Sequence, residues 1–583
     1  MKRFAVLLLL ASLPFRPGRA QETGTIAGTV TTQETGAALA SVSVAVVGLA
    51  RAGTTGPDGR YTILGVPPGT YQVRARLIGF RTTVDSSVVV AAGQTVTADF
   101  RLVAQAIQLD TTIVAIGYAT VQKKDLTGAV GSVSGDAVTT KAAPTSTVNT
   151  ALEGRAAGVQ VLLNSGMPGV GASVRIRGTN SISANSEPLY VIDGVPAEQG
   201  SSSSDPKSNP LMSIDPNEIE SIDVLKDASA TAIYGSRGAN GVVLITTKRG
   251  PTGESRVTMT TSYGFQDISK TIPVLTAPQY MQLVNDARYY NTHMDAAPKY
   301  SDQRIASAQT YNYPAMMLRS CSGWQFCSAA PQANQAISIS GGAGQMRYLL
   351  SGNFMRQEGI LVGSDFQRYG VRLNVDADMN ARVKVGSSMS LTRVSRMAAA
   401  VENASVGAGA NGILAAMQFD PSLPPKDANG NWNMNAILSE QVANPLANSS
   451  ALTDLNTTSR LVGNVFGELS IANGLKLKTT LGGTFSLDRI NYYAPRTISP
   501  GSPTKGDAFI QQTPWRQLLN DNTLTWHHSA GPGALDLMGD VSVQTYHSEY
   551  SIARAQGCAS DATAYNAFGS CLILLPSESG ATD

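Results

Sequence analysis

The side chains best suited to chemistry in this 583-residue chain are few and far apart. Its four cysteines, Cys321, Cys327, Cys558 and Cys571, form two close pairs inside polar, turn-prone stretches. Two disulfide staples or one four-thiolate zinc site would fit such residues. The gap between the pairs is far too long for a zinc finger, so Cys321–Cys327 and Cys558–Cys571 bridges are the expectation. The four histidines, at 293, 527, 528 and 547, are scattered. His527 and His528 adjoin in a strand-like run and should face opposite sides. No serine–histidine–acid or paired-carboxylate spacing emerges, so no catalytic residue, metal ligand or cofactor is assigned. Asp427-Ala428-Asn429-Gly430-Asn431 begins like a calcium loop but lacks the closing acid, and reads as a turn. Two glycine-rich runs, Gly166–Gly171 and Gly235–Gly241, each lead into a strand, whereas a phosphate loop leads into a helix, which argues against nucleotide binding. What remains is a set of charged and turn-forming residues between 175 and 241: Arg175, Arg177, Gly178, Asp193, Gly194, Lys226, Asp227, Tyr234, Gly235, Arg237, Gly238, Asn240 and Gly241. Its charges could line a path for a polar substrate. The favoured reading is that they hold a compact domain together, and bind it to its surroundings, through hydrogen bonds and ion pairs.

The composition narrows the class of protein that carries them. Charged residues are 15% of the chain, glycines number 56, and the net charge is +2, which gives no reason to expect nucleic acid as a partner. Lys2 and Arg3, the apolar run Phe4–Leu13, and Gly18 and Ala20 before Gln21 describe a cleaved export signal over residues 1–20. No later apolar run reaches the roughly 20 residues of a membrane helix. A membrane crossing would therefore use strands.

Four further regions follow. Residues 24–103 contain short alternating runs at Thr25–Thr31, Ser43–Val47, Tyr61–Leu64, Tyr71–Leu77 and Thr95–Leu102, with turns at Pro57-Asp58-Gly59 and Pro67-Pro68-Gly69. This pattern predicts a small β-sandwich. Residues 104–125 form a linker with a single β-prone island, Ile113–Ile116. Residues 126–250 predict a mixed α/β unit: strands at Val174–Arg177, Leu189–Ile192 and Val242–Thr247, a turn capped by Asp215 with Pro216 at its first position, a helix over Asp227–Tyr234, and a turn at Gly235–Gly241. Residues 251–583 alternate strictly. Tyr369, Val371, Leu373 and Val375 share one face, and Gly370, Arg372, Asn374 and Asp376 the other. Leu461–Ile471 and Leu475–Phe485 flank Asn473-Gly474, a favoured hairpin turn. Strands of about ten residues with short turns and long loops predict part of a membrane-spanning barrel, apolar outside and polar inside. A soluble sandwich also alternates and is the alternative. The overall class is mainly β: a sandwich, an α/β domain, and part of a large antiparallel barrel.

Two resemblances extend this reading. Val66-Pro67-Pro68-Gly69-Thr70-Tyr71 with Ile78-Gly79-Phe80 resembles the regulatory domain associated with carboxypeptidases, implying a transthyretin-like sandwich without peptidase activity. Arg175-Ile176-Arg177-Gly178-Thr179-Asn180, Tyr190-Val191-Ile192-Asp193-Gly194-Val195-Pro196 and the run Ile222–Gly250 resemble the plug domain of SusC/RagA-type TonB-linked outer-membrane proteins. The stretch Leu109–Tyr118 is similar to the TonB box of that family. Thr112 stands where the family commonly has an acid, so the edges of the box (Thr112, Ile113, Val114, Ala115, Ile116, Gly117) stay open. The resemblance implies a plugged barrel in the outer membrane that imports a glycan or peptide, is not an enzyme, and needs no cofactor. It also implies TonB with ExbB and ExbD, a SusD-like surface lipoprotein, and outer-membrane lipid as partners. The same coupling would serve a siderophore or cobalamin receptor, and a non-transporting adhesin or signal transducer is an alternative of another class. Transporters of this kind have barrels of about 22 strands. Only about nine or ten candidate strands follow residue 250 at the expected length, and Ser577–Asp583 reads as a polar loop, so the chain is expected to be incomplete.

Overall fold

The computed structural model describes residues 23–582 except 34, 50, 78, 104–112, 117–118, 123–128, 141–147, 149–151, 164, 182–185, 198–209, 228–230, 292–296, 320–328, 399–411, 434–443, 499–502 and 532. The expected signal segment, Thr112, Gly117, Cys321 and Cys327 lie outside the described residues. Contacts divide the chain into two units, Met1–Thr112 and Ile113–Asp583.

The first unit is a sandwich of two sheets. Its strands are β1 (Gly24–Thr32), β2 (Ser43–Val46), β3 (Ala52–Thr54), β4 (Arg60–Val66), β5 (Gly69–Arg76), β6 (Thr83–Val90), β7 (Thr95–Thr97) and β8 (Phe100–Leu102). One sheet runs β4-β1-β7 with β8 also on β1, and the other β3-β2-β5-β6. Alternate residues turn inward to a shared core that includes Ile26, Val44, Ile63, Val73, Val90 and Phe100. Tyr61 is buried there with its hydroxyl donating to the Ala98 carbonyl at 2.6 Å, which pairs the one polar atom the ring carries inward. Strands β3 and β6 go beyond the sequence expectation, because Asp85-Ser86-Ser87 interrupts the apolar signal of β6 with polar residues.

The second unit opens with a hairpin of β9 (Ile113–Ile116) and β10 (Ala119–Gln122). A small α/β domain follows, with β11 (Val130–Ser134), β12 (Val159–Leu162), β13 (Ser173–Ile176), β14 (Leu189–Ile192), β15 (Val195–Pro196), β16 (Ile219–Leu225) and β17 (Val242–Thr247). Five of these form a sheet in the order β11-β16-β17-β14-β15, while β12 pairs β13. Strand β17 is buried almost throughout (Val242, Val243, Leu244, Ile245), as befits a central strand covered on both faces. Asp215 caps the single 3₁₀ turn Pro216–Glu218 by accepting from the Asn217 amide at 3.0 Å. Of the expected Asp227–Tyr234 helix, residues 228–230 lie outside the described residues; Thr231 N donates to Asp227 O in the i to i−4 manner of a helix, and a 3₁₀ segment follows over Ala232–Gly238. Gly235, at φ 58°, breaks that segment, a conformation open to glycine at little cost.

Ten strands, β18 (Gly253–Gln266), β19 (Ala330–Ala343), β20 (Met346–Glu358), β21 (Ser364–Asp378), β22 (Val383–Ala398), β23 (Thr453–Ala472), β24 (Leu475–Ala494), β25 (Asp507–Ala530), β26 (Gly533–Cys558) and β27 (Cys571–Thr582), form one antiparallel sheet in sequence order. Turns at one end are short, such as Asn473-Gly474 with Gly474 at φ 77°. At the other end are long connections with helices at Ala277–Asn291, Gly412–Gln418 and Pro445–Ala451. The tail is a correction: Ser577–Thr582, expected as a loop, belongs to β27 and pairs along β26 (Ser579 with Ser551, Gly580 with Tyr550). Its polar residues carry no apolar alternation, so ladder pairing alone reveals the strand. The strands also exceed the expected ten residues, reaching 24 in β25 and 26 in β26, well beyond the roughly 9–11 a bilayer requires.

The wall is inverted relative to a soluble sheet. Along β21, Arg368, Arg372 and Asn374 are 0%, 3% and 1% exposed, while Tyr369, Val371 and Leu373 are 50%, 53% and 42% exposed. Burying charges and exposing aliphatic side chains would be ruinous in water. It is the pattern of a barrel wall whose outer face meets hydrocarbon.

Candidate functional site at the plug–wall interface

The charged residues singled out in the sequence fall into three clusters. All three are networks within the α/β domain or between it and the wall. The first is a latch on the wall. Asp193 and Gly194 form the tight turn between β14 and β15, with φ of 48° and 86°. That pairing suits a two-residue hairpin requiring left-handed conformations. The turn aims the Asp193 carboxylate at several donors. It accepts from the Thr247 amide (2.9 Å), the Thr247 hydroxyl (2.7 Å) and the Ser388 hydroxyl of β22 (2.8 Å). Its backbone carbonyl accepts from Asn464 of β23 at 2.7 Å.

Arg372 of β21 lies 3.5 Å from Asp193 and donates its Nε to Glu218 at 2.9 Å. Glu218 also accepts from Ser351 (2.7 Å) and Asn353 (3.1 Å) of β20. Arg368 and Asp215, both fully buried, stand 3.7 Å apart, and Arg249 pairs Asp376 at 2.6 Å. Two carboxylates of the small domain thus share one guanidinium of the wall, with neutral donors filling the remaining lone pairs. A buried ion pair is tolerable only under that condition. Of these residues only Asp193 and Gly194 stood out in the sequence. Asp215 was legible as the cap of its turn and Arg372 and Asp376 as one face of an alternating strand, whereas Glu218 and Arg368 were not placed at a site.

The second cluster is a strap within the small domain. Arg177 and Gly178 occupy left-handed positions, φ 59° and 105°. Arg177 pairs with Asp227 and donates to the Lys226 carbonyl at 3.3 Å. Lys226 Nζ donates to the Ala157 carbonyl at 2.5 Å. Asp227 accepts from the Ala129 amide, immediately before edge strand β11. That bond, and then Arg177, hold the Asp227 carboxyl below the usual carboxylate range. The third cluster braces the sheet. Arg175 pairs Glu187 at 3.2 Å, and Glu187 also accepts from Val174 N and the Tyr190 hydroxyl. Asn240 meets Asn180 at 3.3 Å, and Arg237 donates to Gln544 of β26. Tyr234 is buried. A Cβ on Gly241 (φ 90°) would meet Ile176 at 2.6 Å, and one on Gly238 the Thr231 carbonyl at 2.9 Å.

The remaining sequence candidates resolve simply. Ile113–Ile116 is a strand, but it folds back on Ala119–Gln122 rather than standing alone. Cys558 and Cys571 are bonded across the loop end of β26 and β27. Asp427 spends its carboxylate on the amides of Asn429 and Asn431, which makes it a turn-former rather than a calcium ligand. His527 Nδ1 lies 2.6 Å from Asp536 and its Nε2 3.1 Å from Ser529. This linear acid–histidine–serine order, not anticipated from sequence spacing, arises because His527 and Asp536 are directly opposed in the ladder. The trio is solvent-exposed and lacks the water-excluding pocket that nucleophilic catalysis uses.

Comparison with known proteins bears on this arrangement. Residues 25–103 match the carboxypeptidase regulatory-like domain family, and residues 122–242 the TonB-dependent receptor plug domain family. The chain is 32% identical to TonB-dependent receptor P3 of Formosa agariphila over 579 residues, covering 98% of this chain and 53% of that protein. It is 34% identical over 266 residues to TonB-dependent receptor SusC of Bacteroides thetaiotaomicron, covering 45% of this chain and 24% of that one. The RagAB peptide importer in its open-open state superposes with a TM-score of 0.65 at 25% identity, over 81% of this chain and 53% of the other. The chain spans about half the length of the curated relatives it matches, P3 and the TonB-dependent receptor P26 of the same organism.

Proposed function

Because the chain belongs with the SusC/RagA-type TonB-dependent receptors, we propose that it works in the energy-coupled import of a glycan or peptide across the outer membrane, as a plugged barrel and not as an enzyme. The observation that carries this reading is the inverted wall: buried Arg368 and Arg372 face the plug while Tyr369, Val371 and Leu373 face outward. A polar lumen closed by a domain bound through breakable polar contacts is the design of a gate.

The hairpin precedes the gate closely in the chain, with Ala129 seven residues beyond Gln122. Among the described residues strand β9 pairs with β10 alone, in a two-stranded sheet, which leaves its second edge for strand addition by TonB, powered through ExbB and ExbD. Tension on Thr112–Gly117 would reach Ala129, held by Asp227, and then edge strand β11, whose ladder partner is β16. Strand β16 runs from beside Glu218, at the wall latch, to Leu225, beside the strap. The strap is thus loaded first and the latch next. A SusD-like lipoprotein would cover the loop end, where the Cys558–Cys571 bridge lies. Deleting Thr111–Gly117 in the full-length chain should abolish uptake while surface binding persists. Undiminished uptake would refute the reading.

A further inference from the structure

The outward face of the wall carries a feature that import does not use. Following the hydrogen-bond ladder across strands, Val371, Leu391, Leu461, Phe485, Arg516 and His547 stand directly opposite one another in turn. The next outward row toward the loop end is Tyr369, Arg393, Ser459, Leu487 and Pro514. Between these rows lies a groove of about 420 Å³, floored by Leu391, Leu461, Phe485 and Leu487 and opened by the small Ser459. Rows nearer the short turns are largely apolar, including Leu373, Met389 and Leu518. The groove therefore lies where the apolar belt gives way to charge.

Two exposed guanidiniums border it: Arg516 in the lining, and Arg393 directly opposite Ser459. Neither has a hydrogen-bond or ion-pair partner among the described residues. The acid in the lining, Glu549, is taken by His547 Nε2 at 2.7 Å. A cation at the edge of a hydrocarbon-facing wall costs only about 0–1 kcal/mol, and an anion that meets it there adds a charge-assisted hydrogen bond. An apolar floor flanked by two unpartnered guanidiniums, Arg393 from β22 on one side and Arg516 from β25 on the other, is complementary to a chain-bearing phosphate that both long side chains reach toward, and guanidinium binds phosphate in bidentate fashion.

We propose that this groove seats one phosphate-bearing membrane lipid, its acyl chain along Leu391, Leu461, Phe485 and Leu487 and its phosphate between Arg393 and Arg516. The proposal rests on the reading that this face meets lipid. The test uses the full-length chain purified from outer membranes in nonionic detergent, with lipid phosphorus measured per protein and the retained species weighed by native mass spectrometry. The wild type should retain a phospholipid-like species, and R393K/R516K should keep it. R393E/R516E and the groove-filling S459L should each lower retention about tenfold, as loss of one strong contact would. Equal retention by R393E/R516E, or displacement of the lipid by inorganic phosphate alone, would overturn the proposal. A urea wash of the membranes separates the two readings. Wild type that resists the wash yet carries no lipid defeats the seat alone, whereas wild type that washes off defeats the membrane reading and the seat with it.

Discussion

Replacing Arg372 with methionine should loosen the plug without unfolding the wall. The side chain is 3% exposed and serves two plug carboxylates, Glu218 at 2.9 Å and Asp193 at 3.5 Å. Removing one partner from a buried pair costs about 3–5 kcal/mol, because the remaining charge is left uncompensated. Here Glu218 keeps Ser351 and Asn353, and Asp193 keeps Thr247 and Ser388. The lower end, ~3 kcal/mol, is therefore the appropriate figure, and it corresponds to a roughly 150-fold shift between docked and undocked plug. The assay is labelling of a single added cysteine at Ser213, whose carbonyl accepts from Thr392 of the wall at 3.0 Å, in intact outer membranes across a urea series. R372M should bring labelling on at clearly lower urea, and pairing it with E218Q should recover part of the loss. An unchanged urea midpoint would refute the latch. So would an equal shift from R489M, which alters an arginine on the outward face.

Two further outcomes follow from the same contacts. Gly169, at φ 72°, lies where a Cβ would fall 1.9 Å from the Phe366 ring, so G169A should displace the plug loop and raise labelling at Ser213, whereas G166A, with nothing within 4 Å, should not. Asp227→Asn should weaken the strap, speeding hydrogen exchange of the Ala129 amide and of β11. Because the Asp227 carboxyl is held below its ordinary value by Ala129 and Arg177, its contribution is complete above the usual carboxylate range and fades as pH falls through the depressed value. The wild type should therefore approach the D227N exchange pattern only in strong acid, after correction for intrinsic rates. Similar β11 protection in both proteins at neutral pH would count against the strap.

The elements were legible where one physical signal dominated. Alternation in Tyr369–Asp376 gave both the strand and its two faces, and Asn473-Gly474 gave the hairpin. Asp215-Pro216 announced a capped turn. The partners in the site were not legible in the same way. Arg372 reads as an ordinary inward residue until pairing with β20 and β22 sets it beside Glu218, more than 150 positions away. Likewise, His527 meets Asp536 through ladder register, which sequence spacing does not reveal. The last strand was missed because Ser577–Thr582 has no apolar face and is specified by its neighbour β26. The hairpin return of Ile113–Ile116 was missed because Ala119–Gln122 is too short to signal alone.

The central claim, that import through this gate is energy-coupled, is tested most directly by following a labelled oligosaccharide or peptide pool into cells with and without a protonophore that dissipates the proton gradient. Accumulation that collapses while surface binding is retained is the predicted result. Accumulation that continues undiminished without the gradient would contradict it.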